Sequence, residues 1–132
     1  MEFNKGGIYS GNNMFYGHAV ETRRFGDELY SYTVYFFING KFEGVKRGWK
    51  NGKLEYEENY KHGVYEGVQR KWYEYRDGDG DLASERGYVN GELVYDRCYM
   101  NGELIGEKNF VNGELARVRG YENGKLKYDE SW

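Results

Sequence analysis

The chain has 132 residues, enough for one domain, and its 39% hydrophobic and 31% charged content is typical of a folded globular protein. A formal net charge of −3 argues against a general attraction to nucleic acid or to an anionic membrane, so we expect no nucleic-acid partner. There is no run of ~20 apolar residues, no signal-like N-terminus and only one cysteine, Cys98, which together predict a cytoplasmic protein without a membrane span or an internal disulfide.

The apolar residues are unusual in kind. Fifteen Tyr, seven Phe and three Trp outnumber the long aliphatic residues, and aromatic side chains favour a pleated, half-exposed surface. Twenty Gly and no Pro suit many turns joined by strands that need all their backbone donors. The composition predicts an all-β protein with a thin sheet and little or no helix.

The pattern is weakest at the N-terminus. Residues 14–20 and 29–38 read as two strands around a turn near Gly26 and Asp27. Terminal repeats are often atypical because they cap a stack. We therefore predict a divergent N-terminal cap over residues 1–36, containing one hairpin, and one continuous domain of β-hairpin repeats over residues 37–132.

From residue 37 onward, an Asn or His precedes Gly at regular intervals. This dipeptide between alternating apolar residues is the strongest short-range signal for a two-residue hairpin turn, because both turn residues need positive φ. The last four turns are 11 residues apart, which predicts tandem antiparallel hairpins in an elongated, single-layer meander. The dipeptides are Asn39-Gly40, Asn51-Gly52, His62-Gly63, Asn90-Gly91, Asn101-Gly102, Asn112-Gly113 and Asn123-Gly124.

Each turn is flanked by an aromatic residue three positions before its Gly and by a Leu, Phe or Tyr two positions after it. In a two-residue hairpin these positions lie opposite each other, so each turn is predicted to carry one cross-strand pair. Nine-residue strands with strict alternation would place all these pairs on one face. Four residues after the turn Gly, successive strands carry Gly and Tyr in alternation. This alternation predicts that the Tyr ring of one strand packs over a Gly of its neighbour, where there is no Cβ.

Three departures from the repeat carry further predictions. The 12-residue interval between Gly40 and Gly52 predicts a β-bulge near Gly44 or Gly48. The 17-residue interval between Gly63 and Gly80 predicts a strand over residues 68–75, a long acidic loop at residues 77–81 and a break in the sheet. Residues 126–132 read as a last strand with an open edge, which leaves an edge-paired homodimer open.

No arrangement typical of a catalytic or metal site occurs. Asp77, Asp79 and Asp81 have the spacing of a calcium loop but lack its required Gly and Glu, so we interpret them as a solvated turn. His62 occupies a turn position, and Cys98 has no histidine near it in sequence. We therefore predict a protein that is not an enzyme, with no catalytic residues, no metal and no cofactor.

Candidate partner-binding residues come from two features. Arg beside Tyr is the composition of interface hot spots, although packing within the sheet is the more common role for such residues. The segment Lys71-Trp72-Tyr73-Glu74-Tyr75 adds an aromatic run similar to cell-wall-binding hairpins. The predicted contacts are Trp72, Tyr73, Tyr75, Arg86, Tyr88, Arg97, Tyr99, Phe110, Arg119 and Tyr121.

Residues 59–93 contain Asn-Tyr-Lys-His-Gly, Tyr-Glu-Gly-Val, Lys-Trp-Tyr-Glu-Tyr and Gly-Tyr-Val-Asn-Gly-Glu-Leu, and this series resembles the MORN repeat variant of bacteria. The resemblance covers about residues 36–130. It implies an elongated, twisted antiparallel meander that acts as a protein-binding scaffold. Several members of the family are YwqK-type antitoxins, which implies that this chain neutralises a toxin by direct contact. The alternative is a carbohydrate-binding or cell-wall-binding hairpin module.

Overall fold

The computed structural model describes the backbone of residues 2–9, 15–25, 28–73 and 80–132, and the side chains of residues 22, 33–73 and 80–132. The described residues form β-strands and turns, with no helix among them. The strands are β1 (Glu2–Tyr9), β2 (Phe15–Phe25), β3 (Glu28–Ile38), β4 (Lys41–Phe42), β5 (Gly44–Lys50), β6 (Lys53–Lys61), β7 (Val64–Tyr65), β8 (Gly67–Trp72), β9 (Leu82–Val89), β10 (Glu92–Met100), β11 (Glu103–Val111), β12 (Glu114–Glu122) and β13 (Lys125–Ser131).

All strands belong to one antiparallel sheet, in the order β1-β2-β3-β5-β6-β8-β9-β10-β11-β12-β13, with β4 paired to β3 and β7 to β6. At about 4.8 Å between strands, the eleven-strand path extends for about 48 Å. Within the part of the chain whose side chains are described, Phe37 is the only apolar residue that is buried. The prediction of an all-β, single-layer meander of hairpins is confirmed.

The predicted positive φ is confirmed at both residues of all seven Asn-Gly and His-Gly turns. All seven Asn or His residues have φ between 50° and 53°, and the Gly after each has φ between 75° and 85°. The aromatic residue before each turn lies opposite the predicted residue after it. The pairs are Phe37 with Phe42, Trp49 with Leu54, Tyr60 with Tyr65, Tyr88 with Leu93, Tyr99 with Leu104, Phe110 with Leu115 and Tyr121 with Leu126.

The prediction that these pairs share one face is wrong. In most hairpins one extra residue follows the Leu, so the register shifts by one and every later side chain moves to the other face. In β10, for example, Leu93 lies opposite Tyr88 and Tyr95 lies opposite Gly87, with Val94 between them. The pairs therefore alternate between faces from turn to turn. The extra residues are Tyr30, Glu55, Ala83, Val94, Ile105, Ala116 and Lys127.

The bulge predicted near Gly44 is confirmed. Phe37 lies opposite Phe42 but Val34 lies opposite Arg47, so Glu43 and Gly44 are additional to the register, and Gly44 has φ +79°. The Glu43 carboxylate accepts a hydrogen bond from the His62 N–H at 2.8 Å. The bulge thus ties one hairpin to the turn of the next.

The same device recurs at Glu66 and Gly67. Gly67 has φ +89°, and the Glu66 carboxylate accepts a hydrogen bond from the Asn90 N–H at 2.5 Å. The neighbouring Gly91 N–H donates to the Tyr65 carbonyl at 2.8 Å. Aromatic-Glu-Gly therefore works as a unit that bulges one hairpin and fixes the next turn by charge-assisted hydrogen bonds.

A glutamine side chain fills the gap that this second bulge leaves between β6 and β8. The Gln69 amide accepts the Asn59 N–H at 2.6 Å and donates to the Asn59 carbonyl at 2.9 Å. Gln69 is 8% exposed, so the Asn59 N–H would otherwise lack a partner in a largely dry position, whereas the Asn59 carbonyl also accepts from the Glu66 N–H at 3.0 Å. The side chain takes the place of a peptide unit of the sheet.

The sheet continues past the acidic insertion, so the predicted break is wrong. Trp72 lies opposite Leu82, and the Tyr73 N–H donates to the Asp81 carbonyl at 2.8 Å. The strand ends at Trp72, earlier than the predicted residue 75. Tyr75, Asp77 and Asp79 lie outside the described residues, so the interpretation of the acidic turn stays a prediction.

At the N-terminus, β2 and β3 pair as predicted for a hairpin, whereas β1, which the sequence pattern did not predict, adds a further strand to the same sheet. The turn predicted near Gly26 and Asp27 lies outside the described residues. The division into a cap over residues 1–36 and repeats over residues 37–132 stays a prediction.

Two rings cross glycines, although at different glycines from those expected. A Cβ on Gly48 would lie 2.3 Å from Cε1 of Tyr56, and one on Gly87 would lie 2.1 Å from Cε1 of Tyr95. Gly44 and Gly67 have no atom within 4 Å of such a Cβ, since their role is the positive φ of the bulge. The bulges move each ring onto a different glycine.

Candidate binding surface

The two faces of the sheet carry different side chains. We call the face that carries Tyr88 and Arg86 the aromatic face, and the face that carries Glu85 the ladder face. Residues three apart on an unbulged strand point to opposite sides, so Tyr88 and Glu85 on β9 define the two faces. Residues directly opposite each other on neighbouring strands share a face, which extends both assignments across the sheet.

The ladder face carries a row of alternating basic and acidic residues, one from each neighbouring strand. Arg97 donates from Nε to Glu107 Oε2 at 2.5 Å and from Nη1 to Glu85 Oε1 at 3.3 Å. Each member lies directly opposite the next in the register. In order from β5 to β13, this charge ladder is Arg47, Glu57, Arg70, Glu85, Arg97, Glu107, Arg119 and Asp129.

Most charges of the ladder are satisfied within the sheet. Glu107 is 8% exposed and accepts from both Arg97 and Arg119. The hydrogen bond to Glu107 raises the pKa of Arg97, although burial alone would lower it. Asp129 ends the ladder and accepts two hydrogen bonds from Arg117, at 2.8 and 2.6 Å, which lower the pKa of Asp129. This face offers a partner few unpaired charges.

Strict alternation placed Arg97 and Glu107 on opposite faces, so the sequence interpretation missed the ladder. The extra residue Ile105 brings the two side chains together. One signal was available: Glu85 and Glu107 are 22 residues apart, as are Arg97 and Arg119, and 22 residues is the length of a two-strand repeat. Like charges at that period lie on alternate strands of one face.

The aromatic face carries a continuous row of rings near the turns at residues 39–40, 62–63 and 90–91. Successive ring centroids are 4.9 to 5.0 Å apart. Such spacing is typical of favourable aromatic pairs, each contributing about 0.5–1.5 kcal/mol beyond burial. The rings are half-buried, and no second layer of described residues covers them. The aromatic row consists of Tyr35, Phe42, Tyr60, Tyr65 and Tyr88.

Polar groups border the aromatic row. The Tyr65 hydroxyl donates to the Glu58 carboxylate, and Lys46 Nζ lies 3.9 Å from the same carboxylate and 4.9 Å from the Phe42 ring centroid. Burial, followed by the hydrogen bond to Glu58, raises the pKa of Tyr65. Burial likewise raises the pKa of Tyr60. Both phenols stay neutral donors at ordinary pH.

A depression of about 130 Å³ lies at the end of the aromatic row. This volume is below the roughly 300–1,000 Å³ of small-molecule sites, so the depression suits a single side chain. Arg86 Nε lies 3.4 Å from Asp96 Oδ2, and Lys71 makes no ion pair with a described residue. The residues that line the depression are Glu58, Tyr65, Gln69, Arg70, Lys71, Ser84, Arg86 and Tyr88.

The predicted contact residues do not form one surface. Register places Arg86, Tyr88 and Phe110 on the aromatic face. Tyr73 is 38% exposed, and its hydroxyl donates to the Tyr99 carbonyl at 2.9 Å. Tyr75 lies outside the described residues. The predicted residues that register places on the ladder face are Trp72, Arg97, Tyr99, Arg119 and Tyr121.

The residues with potential for chemistry are separated in the sheet. His62 occupies a turn with its Nδ1 3.7 Å from the Glu43 carboxylate, and Cys98 is exposed with Sγ 3.8 Å from the Gly106 carbonyl oxygen. Among the described residues, no group of three or more His, Cys, Asp or Glu is arranged to hold a metal ion. The described part of the chain also has no helix that could span a membrane.

Fold and surfaces together define the class of protein: an open, single-layer sheet of repeated β-hairpins, with an aromatic face and a charge-ladder face. Comparison with known proteins finds no family model and no curated protein that matches this chain.

Proposed function

We propose that this protein is a non-enzymatic repeat scaffold that binds a protein partner on its aromatic face, in the cytoplasm. The observation that carries the proposal is the difference between the faces. The ladder face pairs its Arg and Glu side chains with one another, whereas the aromatic face exposes a half-buried row of rings beside Lys71 and Arg86. Uncovered aromatic side chains beside cations are typical of interface cores.

The resemblance to bacterial MORN repeat variants supports a more specific form of the proposal, in which the partner is a toxin encoded by a neighbouring gene. A largely preformed sheet suits neutralisation of a toxin by direct contact, since binding would cost little conformational entropy. The residues proposed to contact the partner are those of the aromatic row, together with Arg86 and Phe110, which share its face.

The experiment is co-expression with the product of the adjacent gene, scored for growth rescue and for co-purification. Tyr88→Ala removes a ring from the aromatic face, and Tyr121→Ala removes the same side chain from the ladder face as a matched control. We expect Tyr88→Ala to lose rescue and co-purification while Tyr121→Ala retains both. Circular dichroism establishes that both variants are folded.

Two outcomes contradict the proposal at different levels. A neighbouring product that is harmless alone and does not co-purify refutes the antitoxin role. If Tyr88→Ala retains rescue and co-purification while Tyr121→Ala loses both, the partner binds the ladder face instead. The carbohydrate alternative depends on the run from Trp72 to Tyr75, and glycan retention that is lost on Trp72→Ala would favour it.

A further inference from the structure

The depression at the end of the aromatic row has an excess of positive charge. Lys71 lies directly opposite Ser84, and Arg86 is two residues further along β9 on the same face. Diagonal neighbours of this kind are about 7–8 Å apart, a separation that one carboxylate can bridge when both side chains lean toward it. The two cations can therefore act on the same anionic group.

The acidic groups nearby are already engaged. The Glu58 carboxylate accepts from Tyr65 and lies 3.9 Å from Lys46 Nζ, so its charge is shared with groups of the sheet. Asp96 lies 3.4 Å from Nε of Arg86, and a guanidinium has five donors in a fixed fork, more than one carboxylate can occupy. Asp96 thus orients Arg86 and leaves its other donors for a ligand, while Lys71 is exposed and has no ion-pair partner among the described residues.

We propose that Lys71 and Arg86 hold a carboxylate of an acidic segment of the protein partner, with the Tyr65 and Tyr88 rings covering the apolar part of that side chain. This inference rests on the proposed function and names the chemistry of the partner. A volume of about 130 Å³ accommodates one acidic side chain, and charge complementarity with two cations selects it.

A protein segment fits this surface better than single-stranded nucleic acid. Nucleic-acid sites offer free aromatic faces on which successive bases stack. Here the rings from Phe42 to Tyr88 pack against one another at tilts of 40° to 49°, and Tyr35 meets Phe42 edge to face at 89°, so neighbouring rings cover one another's faces. The net charge of −3 would also repel a long polyanion, whereas a short acidic segment contacts only the local positive charge.

The test measures fluorescence anisotropy of three labelled probes with the full chain at low salt. The probes are a decapeptide with four Glu, the same decapeptide with four Gln, and a ten-nucleotide thymidine strand. We expect the Glu peptide to bind with a dissociation constant below about 1 mM and at least tenfold more tightly than either other probe. Lys71→Glu and Arg86→Gln should each weaken it at least fivefold.

Lys125→Glu is the matched control, because Lys125 is an exposed lysine that register places on the same face, on β13, four strands from β9. We expect it to change the affinity less than twofold. Three results would overturn the inference: equal binding of the Glu and Gln peptides, unchanged binding by Lys71→Glu, or tighter binding of the thymidine strand. In the co-purification experiment, Lys71→Glu is compared with Tyr88→Ala. If the partner co-purifies with Lys71→Glu but not with Tyr88→Ala, the proposed carboxylate site is refuted while the proposed function stands.

Discussion

Removal of Glu107 tests whether the charge ladder stabilises the sheet. Its carboxylate is 8% exposed and accepts from Arg97 at 2.5 Å and from Arg119 at 3.4 Å. In Glu107→Ala, Arg97 keeps Glu85 at 3.3 Å and Arg119 keeps Asp129 at 3.8 Å, so neither guanidinium is left without an acidic neighbour. The loss is therefore smaller than that of a fully buried pair.

The size of the stability loss in Glu107→Ala follows from the solvent exposure of its two arginine partners. Exposed ion pairs contribute about 0.2–1 kcal/mol, and breaking a buried pair costs about 3–5 kcal/mol. Arg97 and Arg119 are 35% and 27% exposed, which places the loss between these limits, at about 2 kcal/mol. With a urea m-value of about 2 kcal/mol/M, the unfolding midpoint should fall by about 1 M.

The assay is urea unfolding followed by far-UV circular dichroism. Glu107→Gln keeps the volume and removes the charge, so it should lose about half as much stability as Glu107→Ala. Glu103→Ala is the matched control, because Glu103 is exposed on the same strand and has no ion-pair partner among the described residues. If the midpoint of Glu107→Ala coincides with that of Glu103→Ala, the ladder does not stabilise the fold.

Gly87→Ala should lose about 1–3 kcal/mol in the same assay, because its Cβ would lie 2.1 Å from a tyrosine ring, whereas Gly120→Ala, with an ordinary 3.5 Å contact, should change little. Gln69→Leu should cost about 2 kcal/mol, since the Asn59 N–H loses its partner while the Asn59 carbonyl keeps the Glu66 N–H; an unchanged midpoint would show that water replaces the amide. The pKa of Asp129 is lowered, so the stability it contributes is complete above its ordinary pKa of 3.8 and disappears as pH falls through the lower folded value. Arg117→Gln should raise that pKa in an NMR titration, and an unchanged titration would refute the assigned cause.

The sequence interpretation succeeded where the determining interactions are local. Positive φ at Asn101 and Gly102 is a property of that dipeptide, and the direct opposition of Tyr99 and Leu104 follows from a two-residue turn. The bulge at Gly44 was also predictable, because an interval one residue too long has to be absorbed and Gly adopts the required backbone conformation.

The interpretation failed where the determining interactions join separate strands. The residues that form the regular bulges are as different as Glu55, Ala83 and Ile105, so no composition marks the position. The break predicted at the acidic insertion was wrong because the pairing of Trp72 with Leu82 depends on the neighbouring strand rather than on the length of the connection. Of the predicted contacts, Arg97 and Arg119 belong to the charge ladder, and Arg86 and Tyr88 line the depression.

The sequence by itself determined where the chain turns and which residues stand opposite each other beside every turn, because both depend on the φ preferences of Asn and Gly. Only the tertiary structure decided which face each pair occupies. Side chains alternate with a period of two, so one extra residue per hairpin exchanges the faces of all that follow. That exchange assembles the charge ladder on one side and leaves the aromatic row, Lys71 and Arg86 on the other.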